Sequence, residues 1–327
     1  MIAVRPQRLE HLELTSLQLI LGLVLLIGSG EFLVRGSVGF ARALGVSPLF
    51  IGLTLVGFGT SAPELVASLI AAFRGAPGIA IGNVVGSNIA NVLLILGIAA
   101  LIAPLPVQRQ EFHRDAVALG AATLVALAAA IVGTLSRPAG ALLVSLLVTY
   151  LYIAYRSERA APNAEARRHE DEARLVAPPK AGLLRPLLVA VVALAGVVLG
   201  ARLLVDASIA IAARFDVPET VIGLTVVAIG TSLPELAVSA IAAFRGQGAV
   251  AVGNVVGSNI YNVLGILGIT ALVHPLPVPP EIIHFDIWIM LATAGLLLAF
   301  MLRGRVIGRA AGGLCLAAYA SYLLLLF

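Results

Sequence analysis

Two stretches of the chain, 46–107 and 217–278, align without a gap at an offset of 171 residues, and about 41 of the 62 aligned positions are identical. Self-similarity at that level marks a duplicated architecture. The longest shared run, GNVVGSNI, occupies 82–89 and 253–260. The same offset carries Leu17 onto Leu188, and His113 and Asp115 onto His284 and Asp286, so the duplication reaches almost the whole chain. The fold must therefore be two copies of one unit.

Composition says where that unit resides. Of the 327 residues 60% are hydrophobic and 12% charged, with a mean hydropathy of +1.05. Soluble domains of this size carry about twice that charged fraction. This excludes a cytosolic enzyme, a secreted disulfide scaffold and a disordered chain. One cysteine, Cys315, excludes an internal disulfide and a cysteine-rich metal site. The net charge of +4 is spread over short connections and reads as membrane topology, with no nucleic-acid partner implied.

A spanning helix needs about 20 apolar residues. On that rule spans fall at 17–44, 47–73, 78–103, 113–134, 138–155, 186–213, 218–244, 249–273, 284–303 and 308–327. The fold class is an all-α membrane protein of ten transmembrane helices. The first five-helix repeat is 1–155, the polar linker 156–185, and the second repeat 186–327. The linker is read as solvated, too short and polar to fold alone. Five is odd, so the two copies enter the membrane from opposite sides. Inverted repeats of that kind are the architecture of secondary transporters, with the substrate site between the halves. If the spans alternate, about 15 of the 21 lysines and arginines share the linker's side, which makes that side cytoplasmic and puts both termini outside. No cleavable leader is expected in the first fifteen residues.

The polar residues at membrane depth carry the chemistry. Gly59-Thr60-Ser61-Ala62-Pro63-Glu64 lies midway along the second span and Gly230-Thr231-Ser232-Leu233-Pro234-Glu235 midway along the seventh. A lone carboxylate there costs several kcal/mol unless it is paired or neutralised. Each proline removes a helical donor and frees the carbonyl four residues back, at Gly59 and Gly230. Thr60 and Glu64 share a helix face, as do Thr231 and Glu235. Two carboxylates, hydroxyls and freed carbonyls form an all-oxygen donor set, which suits a hard cation such as Ca²⁺. The other reading of a buried glutamate is a proton carrier or an interhelical hydrogen bond.

The third and eighth spans place Ser87 with Asn91, and Ser258 with Asn262, on one face each. These four are read as site residues. Asn83, Asn88, Asn254 and Asn259 are equally readable as hydrogen bonds between helices. Glu31/Arg35 and Arg202/Asp206 read as self-neutralised pairs, and His113/Asp115 and His284/Asp286 as interfacial residues.

With these motifs, the chain resembles the sodium/calcium exchanger branch of the calcium:cation antiporter superfamily, over almost its whole length. The resemblance implies ten helices, termini outside, and alternating access by sliding of the first and sixth helices over a rigid core. It implies a Ca²⁺ site of Glu64 and Glu235 with the carbonyls of Thr60 and Thr231. Flanking Na⁺ sites would use the hydroxyls of Thr60, Ser61, Thr231, Ser232, Ser87 and Ser258 and the carbonyls of Gly57 and Ala228, with Asn91 and Asn262 at the edge. Familiar prokaryotic members carry aspartate at the position of Asn262, whereas both copies here have asparagine. The proton-coupled members carry an acid after the G-N motif, and Val84-Val85 and Val255-Val256 are not acidic.

The expected function is a secondary antiporter, not an enzyme, exchanging Ca²⁺ for Na⁺ across the cytoplasmic membrane. A Ca²⁺/H⁺ antiporter is the alternative, and a cation channel lies further off. The expected partners are Ca²⁺, Na⁺ and the bilayer, with no cofactor and no obligate protein partner. No ATP-binding glycine–lysine loop is present for a primary pump.

Overall fold

A computed structural model describes residues 5–47, 50–107, 109–160, 164–176, 182–304 and 306–326. Among the described residues eight helices are long and apolar enough to cross a membrane: Leu14–Ala43, Pro77–Ile102, Phe112–Ile131, Arg137–Ser157, Leu184–Phe215, Gly248–Val273, Ile282–Arg303 and Arg309–Leu326. Two further helix pairs, Thr54–Thr60 with Ala62–Phe73 and Glu219–Thr231 with Leu233–Phe244, bend by 50° and 47°. Each pair counted as one span gives ten, in the order the sequence predicts. The bends fall at Ser61 and Ser232, one residue before the helical pieces that carry Pro63 and Pro234 in their first turn. Proline is tolerated at that position because its missing donor is one a helix start leaves unpaired anyway.

The third and eighth spans form the centre. Of their most apolar stretches 78% and 83% are buried, against 22–39% for the other six. The first and sixth spans lie along each other on a glycine seam. A Cβ at Gly22 would fall 2.8 Å from the Leu204 backbone nitrogen, one at Gly200 2.9 Å from the Gly22 carbonyl, and one at Gly36 2.6 Å from the Ala190 nitrogen. With little hydrophobic drive between helices in lipid, such close backbone approach is what holds them together.

The outer spans interlock the two halves. The fifth packs on the eighth where Gly140 approaches the backbone of Gly268 and Leu272, and the tenth packs on the third where Gly312 meets the carbonyl of Gly97. These contacts are repeat mates, offset by 171 on one side and 172 on the other. The bridge of Leu105 to Ile307 and the two-residue pairing of Thr134–Leu135 with Leu276–Pro277 close the ends in the same symmetric way.

Three local expectations change. The linker contains a helix, Ala164–Val176, and Ala166, Arg168, His169, Glu172 and Ala173 on it are buried. Those positions recur at helical spacing and form one inward face. Asp115 and Asp286 are 1% and 2% exposed rather than interfacial. They accept hydrogen bonds from the Tyr150 and Tyr322 hydroxyls, each at 2.9 Å. Arg168 of the linker helix also pairs with Asp115; burial pulls its guanidinium down, but the charges of Asp115 and Glu172 and the bond to Asp115 together hold it above the usual arginine range. Glu31 and Arg35 pair as expected, but Asp206 pairs with Arg74 across the bundle and not with Arg202.

Candidate functional site

The two helix breaks bring the duplicated motifs face to face. Ser61 donates to Glu235 Oε1 at 3.3 Å, and Ser232 donates to Glu64 Oε1 at 3.0 Å. Each carboxylate is thus held by a serine of the opposite half. Both glutamates are 1% exposed. The second oxygen of each, Glu64 Oε2 and Glu235 Oε2, has no hydrogen-bond partner among the described residues. Leaving a buried carboxylate oxygen unpaired costs several kcal/mol, which a bound cation offsets.

The remaining residues fit around this pair. Thr60 directs its hydroxyl to the Gly57 carbonyl at 3.4 Å. The Thr231 hydroxyl lies within 3.0 Å of Val227 O and Asn83 Oδ1 and 3.4 Å of Ala228 O. Ser87 reaches the Ala228 carbonyl at 3.5 Å, joining the third span to the seventh. Its mate breaks the symmetry: Ser258 Oγ finds no partner among the described residues. Asn91 opens the π-helical stretch Asn91–Ile95 and Asn262 is the second residue of Tyr261–Leu267, a local widening frequent at functional sites. Among the described residues neither side-chain atom of Asn262 has a hydrogen-bond partner, nor has Asn91 Oδ1, although both residues are fully buried. The structure does not bond these two to each other. Asn91 donates instead to Asn259 Oδ1 at 2.9 Å.

Two of the open asparagine readings resolve as bracing. Asn83 donates to the Glu64 carbonyl at 3.1 Å and to Ser68 at 2.9 Å, and Asn254 donates to the Glu235 carbonyl at 3.1 Å and to Ser239 at 2.8 Å. These bonds fix the backbone that presents each glutamate. Ser68 and Ser239 were legible as such, since they are identical repeat mates on helices whose other polar residue is the glutamate. Among the described residues no three or more His, Cys, Asp or Glu side chains are grouped so as to hold a metal ion. The donor set is two carboxylates with neutral hydroxyls, amides and carbonyls, as a hard cation prefers.

One cavity of about 120 Å³ approaches the centre, lined by Thr60 and Pro234 at its inner end and by Glu31, Arg35, Arg245 and Leu175. Leu175 belongs to the linker helix, so this is the linker end of the bundle. At the opposite end Arg74 bonds Asp206 through Nε at 2.8 Å and Nη2 at 3.0 Å.

Comparison with known proteins agrees with this geometry. The family model described as sodium/calcium exchanger protein matches residues 15–156 and 185–327. The sodium/calcium exchanger MaX1 of Methanosarcina acetivorans is 35% identical over 94% of this chain and 97% of its own. The inner membrane protein YrbG of Escherichia coli is 36% identical over 85% and 86%. A solved structure of the sodium-calcium exchanger NCX_Mj, soaked with Na⁺ and Sr²⁺, superposes with a TM-score of 0.66 at 34% identity, covering 95% of this chain and 98% of that one. The duplicated motifs, the inverted halves and these matches agree: the chain is a multi-pass membrane transporter, and it belongs to the sodium/calcium exchanger family.

Proposed function

We propose that the protein is a secondary antiporter that exchanges Ca²⁺ for Na⁺ across the cytoplasmic membrane by alternating access. The observation that carries the reading is the pair Glu64 and Glu235, each with one oxygen held by a serine of the other half and one oxygen free. Two carboxylate charges match one divalent cation, and the same oxygens serve two monovalent cations in turn. One ion must then leave before the other enters, which couples the two fluxes. In this reading Thr60, Thr231, Ser61 and Ser232 complete the central and flanking positions, with Ser87, Ser258 and the carbonyls of Gly57 and Ala228. Asn91 and Asn262 contribute neutral amides at its edge. The repeats 1–155 and 186–327 are the two inverted halves, the linker 156–185 faces the cytoplasm, and both termini lie outside.

The test is uptake of radiolabelled Ca²⁺ into Na⁺-loaded proteoliposomes under outward Na⁺, K⁺ or proton gradients. Uptake that follows the Na⁺ gradient is expected, and uptake driven by protons alone overturns the Na⁺ assignment. Glu64→Gln and Glu235→Gln should each abolish transport. Wild-type flux in both would remove the glutamates from the site.

A further inference from the structure

The inverted repeat demands two equivalent seams, and only one of them is closed. On one side the third span presses directly on the start of the seventh. A Cβ at Gly82 would lie 2.9 Å from the Thr220 carbonyl, at Gly86 2.5 Å from the Leu224 carbonyl, and at Gly223 2.9 Å from the Gly78 carbonyl. The mate of this seam runs between the eighth span and the start of the second. There a Cβ at Gly257, the mate of Gly86, would meet nothing within 4 Å among the described residues. One at Gly253, the mate of Gly82, would meet Glu172 Oε1 at 2.7 Å and Arg168 Cδ at 2.8 Å. The space that a helix fills in one half is filled by the linker helix in the other.

The linker helix is anchored there on both sides. Arg168 pairs with Asp115 of the fourth span and lies 4.6 Å from the centre of the Phe112 ring. Glu172 sits beside Arg168 at 3.6 Å and His169 at 3.2 Å. Ala173 packs in an apolar cluster with Val34 and Val38 of the first span and Ile51 and Val56 of the second. Leu175 reaches the cavity that ends at Thr60 and Pro234. At the far end Arg74 is clamped on Asp206.

We propose that the linker helix is an internal brake: docked in the seam and packed on the first span through Ala173, it props the linker end open, and it must leave before the first and sixth spans can slide to close that end. The inference rests on the reading of this chain as an alternating-access exchanger. Undocking then shifts the population towards the state open at the other end and speeds exchange.

The repeat supplies matched probes. Ala237 lines the linker-end cavity, and its mate at the same offset is Val66. Ala237→Cys and Val66→Cys are made singly in a Cys315→Ala background, each in the native chain and in a full-length chain whose residues 164–176 are replaced by glycine and serine. A bulky impermeant maleimide labels them in detergent. In the native chain Ala237→Cys should label and Val66→Cys should resist. Replacement of the helix should reverse the preference by about fivefold or more. An unchanged labelling ratio overturns the brake.

A second arm leaves the linker sequence almost intact, in case the replaced chain fails to fold. Ala173→Cys with Val38→Cys, oxidised to a disulfide, should stop Ca²⁺ exchange, and reductant should restore it. Exchange at the reduced rate in the oxidised protein overturns the proposal, as does failure of the pair to cross-link. Labelling needs no ion flux. A chain that labels as expected but carries no Ca²⁺ sinks the exchange reading instead.

Discussion

Ser232 holds Glu64 at 3.0 Å and Ser61 holds Glu235 at 3.3 Å. A hydroxyl donated to a buried carboxylate contributes about 1 kcal/mol net, which is about fivefold in affinity. Ser232→Ala is therefore expected to raise the Ca²⁺ concentration for half-maximal exchange by about fivefold, and Ser61→Ala by less, in proteoliposome uptake titrations. A larger effect from Ser61 would mean that the shorter bond does not orient the site. The glutamates, serines and threonines of this centre were legible in the sequence because a polar residue at membrane depth, repeated at one offset, has few structural excuses. Arg168 was not legible. Its partner Asp115 lies 53 residues away, and a charged residue in a polar stretch gives no sign that it is buried. Their pairing makes a second prediction. Arg168→Gln removes the linker's charge from buried Asp115, which keeps Arg114 and the Tyr150 hydroxyl, and should destabilise the fold by about 3 kcal/mol, whereas Arg168→Gln with Asp115→Asn should recover most of that loss. Thermal unfolding in detergent distinguishes the two.

The same repeat gives a controlled comparison at the level of helices. Gly86 and Gly257 are identical mates, yet a Cβ at the first would lie 2.5 Å from a backbone carbonyl, and at the second it would meet nothing within 4 Å among the described residues. Alanine is the better helix former by about 1 kcal/mol. Gly257→Ala should therefore leave the melting temperature unchanged or higher. Gly86→Ala forces the third and seventh spans apart and should cost about 2 kcal/mol. Equal melting shifts would mean that the two seams are packed alike. Nothing in the sequence separates these glycines, because packing on a neighbour is a property of the pair. What the sequence did fix at this scale was the number and order of the spans, through apolar runs of membrane length. The carbonyls it expects the prolines to free, at Gly59 and Gly230, lie close to the observed bends at Ser61 and Ser232. It missed the crossing of the fifth span onto the eighth and the tenth onto the third, which their own faint glycine pattern at Gly140 and Gly312 does not announce.

For the whole molecule the inverted repeat sets a balance, and charge tips it. Two conformations of a symmetric scaffold would be equal in energy, with one end open in each. The ends here differ in sign. The repeat places Arg245 where Arg74 stands, and Arg35 where Asp206 stands. An arginine therefore meets an aspartate at one end, whereas at the linker end the corresponding partner is another arginine, itself engaged by Glu31. Closure of the linker end brings two like charges together, and closure of the other makes a bidentate ion pair. Half-exposed pairs contribute no more than about 1 kcal/mol, which is ample when the two states are nearly balanced. Asp206→Asn should therefore raise labelling of Val66→Cys by about two- to fivefold without moving the melting temperature. The charge swap Arg74→Asp with Asp206→Arg should return it to the native level, and high salt should mimic the single substitution. If the swap labels like Asp206→Asn, the clamp acts through shape rather than charge, and the preference for the linker-open state must come from the docked helix alone.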